Sequence, residues 1–290
     1  MFYNILNRLN KTKKFPYYFL SPLPYGMGNA SRQILIASSK AKELKKNLLI
    51  VGGASGFMIA SIKSFLEKKY KIFATYSTEK SLLNIPKNLK KSKNIKFVKL
   101  DLLEEDEKIL MVLKKNKVKA DIIINAVGGT FGMKEYPYSL DNWRRSLDLN
   151  ILKHILVNNF FLKKMIKNKF GRILFFSGTA IEEPNASISY STSKAFLENY
   201  VKKSAVLFGK HNVFINCIKT SIIAAKNNNW YKATISKPDF VSELIKRKLT
   251  VERIGKAEDI IDFMHLIISS KNKFMNGSIV RIDGGLKQII

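Results

Sequence analysis

The sequence predicts an α/β protein: a doubly wound parallel sheet of about seven strands, with helices on both faces in a three-layer arrangement. Three observations predict it. Short runs of Ile, Leu, Val and Phe recur between residues 48 and 282, apolar on consecutive positions as in strands covered on both faces. Stretches of helical period fall between most of them, as the crossovers of parallel strands require. The first run ends in Gly52-Gly53-Ala54-Ser55-Gly56, a turn in which glycines let backbone amides approach a phosphate at a helix N-terminus.

The elements follow in order. Residues 48–51 form the first strand and 57–68 a helix. Strands are expected at 71–76, 95–100 and 122–126, with helices over 105–115 and 140–167 after the third and fourth. Residues 172–176 read as a fifth strand, 191–207 as a helix, 213–218 as a sixth strand and 278–282 as a seventh. No internal repeat or linker interrupts residues 47–290, which are expected to be a single domain. Residues 1–46 differ. Pro16, Pro22 and Pro24 stand among aromatics, a short helix is expected over 31–46, and no acid precedes Glu43. This basic, hydroxylated leader is either a structural extension that packs on the body or a neighbouring subunit, or an organelle-targeting segment. It has no apolar stretch long enough for a secretory signal.

Composition narrows the classes of function. The 290 residues carry 51 Lys+Arg against 22 Asp+Glu, a net charge of +29. Only eight of the basic residues are arginine, and the lysines are spread from Lys11 to Lys287 without a basic block. A nucleic-acid surface concentrates its charge in a stripe; uniform enrichment in Lys, Asn and Ile reads as compositional drift, with attraction of acidic partners the second reading. No run reaches the ~18 apolar residues of a membrane span. The single cysteine, Cys217, precludes an intramolecular disulfide and suits a reducing compartment, the cytoplasm.

Chemistry gathers at two places. Gly52 and Gly56 frame the phosphate turn, although Met58 stands where a further glycine is common. Tyr190 and Lys194 are four apart and share one face of a helix. An ammonium ~4 Å from a phenolate stabilises it by about 4 kcal/mol at an effective dielectric of ~20, which equips the phenol to give a proton to a carbonyl oxygen. Spacing alone is weak evidence in a lysine-rich chain, since Tyr76 and Lys80 repeat it.

Order makes the evidence strong. The glycine turn after strand one, Asp101 after strand three, Asn125-Ala126-Val127-Gly128 after strand four, Asn150, Tyr190 with Lys194, Arg253 to Lys256 and Asp283-Gly284-Gly285 succeed one another over residues 47–288. In this the chain resembles the short-chain dehydrogenase/reductase family, nearest in pattern to its 3-oxoacyl-carrier-protein reductase branch. The resemblance implies a Rossmann-like fold, an NAD(P) cofactor and interconversion of a ketone and a secondary alcohol. It implies Tyr190 as acid/base, Lys194 as its modulator and ribose ligand, Asn150 as the holder of a relay water, and a serine that polarises the carbonyl. Ser177, thirteen residues before Tyr190, is the expected serine. Counting forward from Gly171-Arg172 places that hydroxyl at Gly178 instead, and Thr179 is the alternative.

The cofactor residues implied are Gly52, Ser55, Gly56, Phe57, Ser77, Asp101, Asn125, Gly128, Tyr190 and Lys194; no metal is expected. Strand two ends in Tyr76-Ser77-Thr78-Glu79-Lys80 without an acid at its tip, which favours NADP(H) over NAD(H). The Pro-Gly frequent after strand six in the family is here Thr220-Ser221, and Ala224-Ala225 stand where a threonine is common, so the lid over 222–249 is unread for substrate. The expected function is NADPH-dependent reduction of a small carbonyl substrate, carrier-protein- or nucleotide-linked substrates included. The alternatives are a dehydrogenase of a sugar or nucleotide-sugar in surface-polysaccharide synthesis and a catalytically impaired binding protein. A homodimer or homotetramer is expected.

Overall fold

The computed structural model describes residues 46–54, 56–132, 137–226 and 228–286. Seven strands form one sheet: β1 (Asn47–Val51), β2 (Lys71–Tyr76), β3 (Ile95–Lys99), β4 (Ile122–Asn125), β5 (Gly171–Gly178), β6 (Val213–Thr220) and β7 (Ile279–Ile282). Every pairing is parallel and the order is β3-β2-β1-β4-β5-β6-β7. The order reverses between β1 and β4, and ligands of open parallel sheets bind in the crevice at such a switch point. The expected extension lies outside the described residues apart from Lys46, as does Ser55.

The helices are α1 (Gly56–Glu67), α2 (Glu79–Leu83), α3 (Lys87–Lys90), α4 (Asp106–Lys115), α5 (Leu140–Leu147), α6 (Lys153–Lys167), α7 (Ile188–Phe208), α8 (Asn229–Ser236), α9 (Pro238–Lys248) and α10 (Glu258–Ile268). Consecutive strand residues enter different cores, which explains the unbroken apolar runs. Leu49, Val51, Ile123, Ile173 and Phe175 pack against α4, α6 and α7 through Ile109, Val157, Phe161 and Leu197. Leu48, Ile50, Ile124, Leu174 and Phe176 pack against α1 and α10 through Met58, Ile62, Phe65 and Met264. Each such side chain contributes about 1.5–3 kcal/mol by burial. Met58 is part of this second core: its departure from the glycine pattern fills space between helix and sheet.

Three features differ from expectation. The helix expected over 140–167 is two helices joined by a π-helical turn, Asp148–Leu152. Strand β5 runs two residues beyond the apolar run, to Gly178. The unread segment after β6 holds α8, which buries none of its residues, and α9, which buries Val241 and Leu244.

Candidate functional site

At the switch point the turn after β1 closes tightly. Gly52 has φ +87°, and a Cβ there would fall 2.6 Å from Val127 Cγ2; its amide donates to Thr75 Oγ1 at 2.9 Å. Glycine alone tolerates both demands. A cleft of about 270 Å³ opens beside it, lined by Gly52, Ala54, Tyr76, Ser77, Ser81, Asp101, Val127, Gly128 and others. Gly52, Ser77, Asp101 and Gly128 therefore meet as expected. Asp101 Oδ1 accepts from Leu103 N at 2.9 Å, an Asx turn that shapes the wall. Gly56 has no heavy atom within 4 Å of where its Cβ would stand, and it starts a twelve-residue helix with no acid in its first turn. Open space at the start of a helix, where the first amides have no partner within the helix itself, fits the diphosphate of a dinucleotide.

Two of the expected cofactor residues are placed differently. Asn125 does not line the cleft: it is buried beneath it, with Nδ2 donating to Asn158 Oδ1 at 3.3 Å and Oδ1 3.1 Å from His154 Nδ1. Its side chain braces β4 against α6. The Phe57 ring is partly buried against the second core, edge-on to Phe176 at 4.9 Å. The end of β2 carries no free acid. Glu79, the first carboxylate after it, pairs with Lys99 at 3.1 Å, and Thr78 caps α2 by accepting from Ser81 N.

On the other side of Gly128 stand Asn150, Tyr190 and Lys194. The π turn sets Asn150 inward; its Nδ2 donates to Ser146 O and Gly129 O at 2.9 and 3.0 Å, and its Oδ1 accepts from Gly129 N at 3.0 Å. Lys194, buried on α7, donates to Phe176 O at 2.9 Å and lies 5.4 Å from the centroid of the Tyr190 ring. A Cβ on Gly128 would fall 2.8 Å from Asn150 Oδ1 and 3.2 Å from Lys194 Nζ, so these two groups converge on one backbone ledge.

Ser177 is not in that group. Because β5 continues to Gly178, Ser177 and Gly178 point to opposite faces. Ser177 Oγ turns toward α7 and donates to Glu198 Oε1 at 2.7 Å, whereas a Cβ on Gly178 would lie 3.7 Å from the Tyr190 hydroxyl. Thr179 is also engaged, donating to Glu183 Oε1 at 3.0 Å. The position facing the tyrosine is thus a glycine, as the count from Gly171-Arg172 indicates.

His154 escapes sequence reasoning altogether. It lies on α6, 1% exposed, with Nε2 3.0 Å from Val127 O, under the same ledge. Burial above all, with the charge of Lys194 adding to it, pushes its pKa down to about 4. Its spacing of four from Asn150 was the available signal.

A parallel sheet with a tight glycine turn and a cleft at its switch point, and a Tyr–Lys pair across the Gly128 ledge, is an arrangement suited to a dinucleotide-dependent oxidoreductase. Comparison with known proteins agrees. The family model for short chain dehydrogenases matches residues 46–235, and the chain belongs to that family. Its similarity to 3-oxoacyl-[acyl-carrier-protein] reductase of Buchnera aphidicola is 26% identity, over 83% of this chain and 97% of the relative. Among solved structures, ElxO with NADP bound superposes with a TM-score of 0.72 at 24% identity, covering 83% of this chain and 98% of that one. The 4-hydroxyisoleucine dehydrogenase complexed with NADH gives 0.71 at 26% identity, with the same coverage. The protein is an NAD(P)-dependent oxidoreductase acting on CH–OH and C=O groups. Among the described residues no helix is long and apolar enough to cross a membrane.

Proposed function

We propose that the protein reduces a small ketone to a secondary alcohol with NADPH, through Tyr190, Lys194 and Asn150 and without the serine hydroxyl that Ser177 was expected to supply. The observation that carries this reading is the convergence of Asn150 Oδ1 and Lys194 Nζ on Gly128, with the Tyr190 hydroxyl facing the end of β5. When bound, the reduced nicotinamide supplies the hydride. Tyr190 gives its proton to the carbonyl oxygen as negative charge develops there. Lys194 stabilises the phenolate left behind and, with its Nζ near the ledge, is the donor for the ribose hydroxyls. Asn150, held at the π turn by three backbone hydrogen bonds, fixes the ledge beside them. Gly52, Gly56, Phe57, Ser77, Asp101 and Gly128 would hold the dinucleotide.

The NADP preference rests on the end of β2. Tyr76 and Ser77 line the cleft there and Glu79 is paired with Lys99, so the end of β2 offers hydroxyls rather than a lone carboxylate, which supports a 2′-phosphate over a free ribose hydroxyl. Residues 47–290 are proposed as the catalytic domain, with 1–46 as an extension. A homodimer or homotetramer would cover the exposed Leu152 of the π turn and Phe196 and Val206 of α7. A single, buried cysteine, Cys217, supports a cytoplasmic location.

NADPH and NADH oxidation, followed by absorbance with acetoacetyl thioesters and with keto-sugars, tests the reading. Turnover with NADPH should exceed that with NADH, and Tyr190→Phe should abolish it while cofactor still binds. Full turnover in Tyr190→Phe would remove the assigned acid, and preference for NADH would remove the cofactor assignment.

A further inference from the structure

An ionic cluster outside the reaction centre surrounds the segment from Thr179 to Ser187, which leads from β5 into Tyr190. Two adjacent carboxylates there face different partners. Glu182 Oε1 accepts from Lys219 of β6 at 2.9 Å and Oε2 from Arg281 of β7 at 2.7 Å. Lys219, its side chain 10% exposed, also reaches Glu198 of α7 at 3.1 Å. Burial opposes the charge on Glu182, but Lys219 and Arg281 outweigh it and hold the carboxyl below its usual range. Glu182 thus anchors the segment to the sheet.

Glu183 faces the other way. Its Oε1 accepts from Thr179 Oγ1 at 3.0 Å, and its Oε2 pairs with Lys248, the last residue of α9. Lys248 belongs to the lid between β6 and α10. Its two ends are pinned by backbone bonds, Ala224 N to Gly255 O at 2.8 Å and Thr250 N to Gly285 O at 3.0 Å. Between them α8 buries nothing and faces Gly56 and Ile59 of α1 across a cavity of about 460 Å³. The Glu183–Lys248 pair, with side chains 28% and 17% exposed, is screened less by solvent than a surface pair.

We propose that Glu183 is a latch, a positioning residue whose pairing with Lys248 ties the lid to the segment that places Tyr190, so that lid docking and the setting of the tyrosine are coupled. Glu182, held by Lys219 and Arg281, ties the base of that segment to the sheet, so Glu183 presents its carboxylate to Lys248 from a fixed backbone. The proposal deepens the reading of Tyr190 as the acid and rests on it only for its kinetic consequence.

Hydrogen–deuterium exchange of the lid amides, residues 228–249, tests the latch without any substrate. Glu183→Gln keeps an acceptor for Thr179 but loses the charge, and Lys248→Met loses the cation. Each should speed lid exchange by at least about threefold, and the charge-exchanged double variant Glu183→Lys/Lys248→Glu should return it to within twofold of the parent. Turnover by the single variants should fall through a raised KM for the carbonyl substrate, with NADPH affinity by fluorescence unchanged. Lid exchange unchanged in both single variants, or no recovery in the double variant, overturns the latch. Absence of turnover in the parent with every carbonyl tried counts against the oxidoreductase substrate reading alone, because the exchange experiment still decides the latch.

Discussion

Acidification should unfold this protein through His154, by an amount that its geometry allows to be worked out. The imidazole is 1% exposed, shut between α6 and the ledge at Val127, with Lys194 nearby. Burial first, then the lysine charge, hold its pKa at about 4, whereas in an unfolded chain histidine titrates near ~6.5. The unfolded state therefore takes up the proton first. The contribution of the neutral, buried ring is whole above pH ~6.5 and is lost as the pH falls through ~4. A gap of roughly 2.5 units at about 1.36 kcal/mol each amounts to about 3 kcal/mol, a large share of a typical domain stability. The perturbation is His154→Gln, which keeps an amide to bond Val127 O and removes the titration. Urea unfolding of both proteins at pH 7 and at pH 4 gives the difference. The general loss from repulsion in a chain of charge +29 is common to both and cancels. The parent should lose about 3 kcal/mol more than the variant; equal losses, within about 1 kcal/mol, would refute the assignment of a neutral buried histidine.

Three further outcomes are expected. Gly178→Ser should fit, since the backbone there is extended and a Cβ meets its nearest atoms at 3.7–3.9 Å; a hydroxyl beside Tyr190 should raise kcat/KM by about tenfold or more, read by NADPH oxidation. Gly128→Ala should cut cofactor affinity and turnover together, because its Cβ would fall 2.8 Å from Asn150 Oδ1 and 3.2 Å from Lys194 Nζ; the check is fluorescence titration with NADPH. Arg172→Met should cost about 3–5 kcal/mol by chemical denaturation. Its guanidinium, between the Phe170 and Phe214 rings, donates to the carbonyls of Gly171, Asn212, Ser269 and Asn272; all four would lose a charged donor, and Asn212 O and Ser269 O would keep only the amides of Gly171 and Asn272.

What the sequence determined by itself was whatever repeats locally along the chain. The apolar runs at Leu48, Ile72, Ile122 and Leu174 declare strands because both sheet faces are covered. The glycine turn, Asp101, Asn125 to Gly128, Asn150, Tyr190 with Lys194 and Asp283 to Gly285 are each short local motifs, and their order along the chain, rather than the Tyr190–Lys194 spacing alone, carries the resemblance to a dinucleotide oxidoreductase family. Tertiary structure decided what depends on direction and on distant neighbours. Two further residues of β5, paired to Lys219 and Thr220 of β6, turn Ser177 toward Glu198 and leave Gly178 facing the tyrosine. The π turn at Asp148–Leu152 interrupts a helical pattern that is continuous in sequence, and sets Asn150 on the Gly129 backbone. His154 and Arg172 are polar letters in the chain, and only packing buries them and, at His154, lowers the pKa to about 4. Glu182 and Glu183 are adjacent in sequence, yet one is held by the sheet and the other by the lid. Pattern is a property of neighbours along the chain, whereas facing, burial and charge pairing arise between residues distant in it, 21 positions apart at Ser177–Glu198 and 99 at Arg281–Glu182.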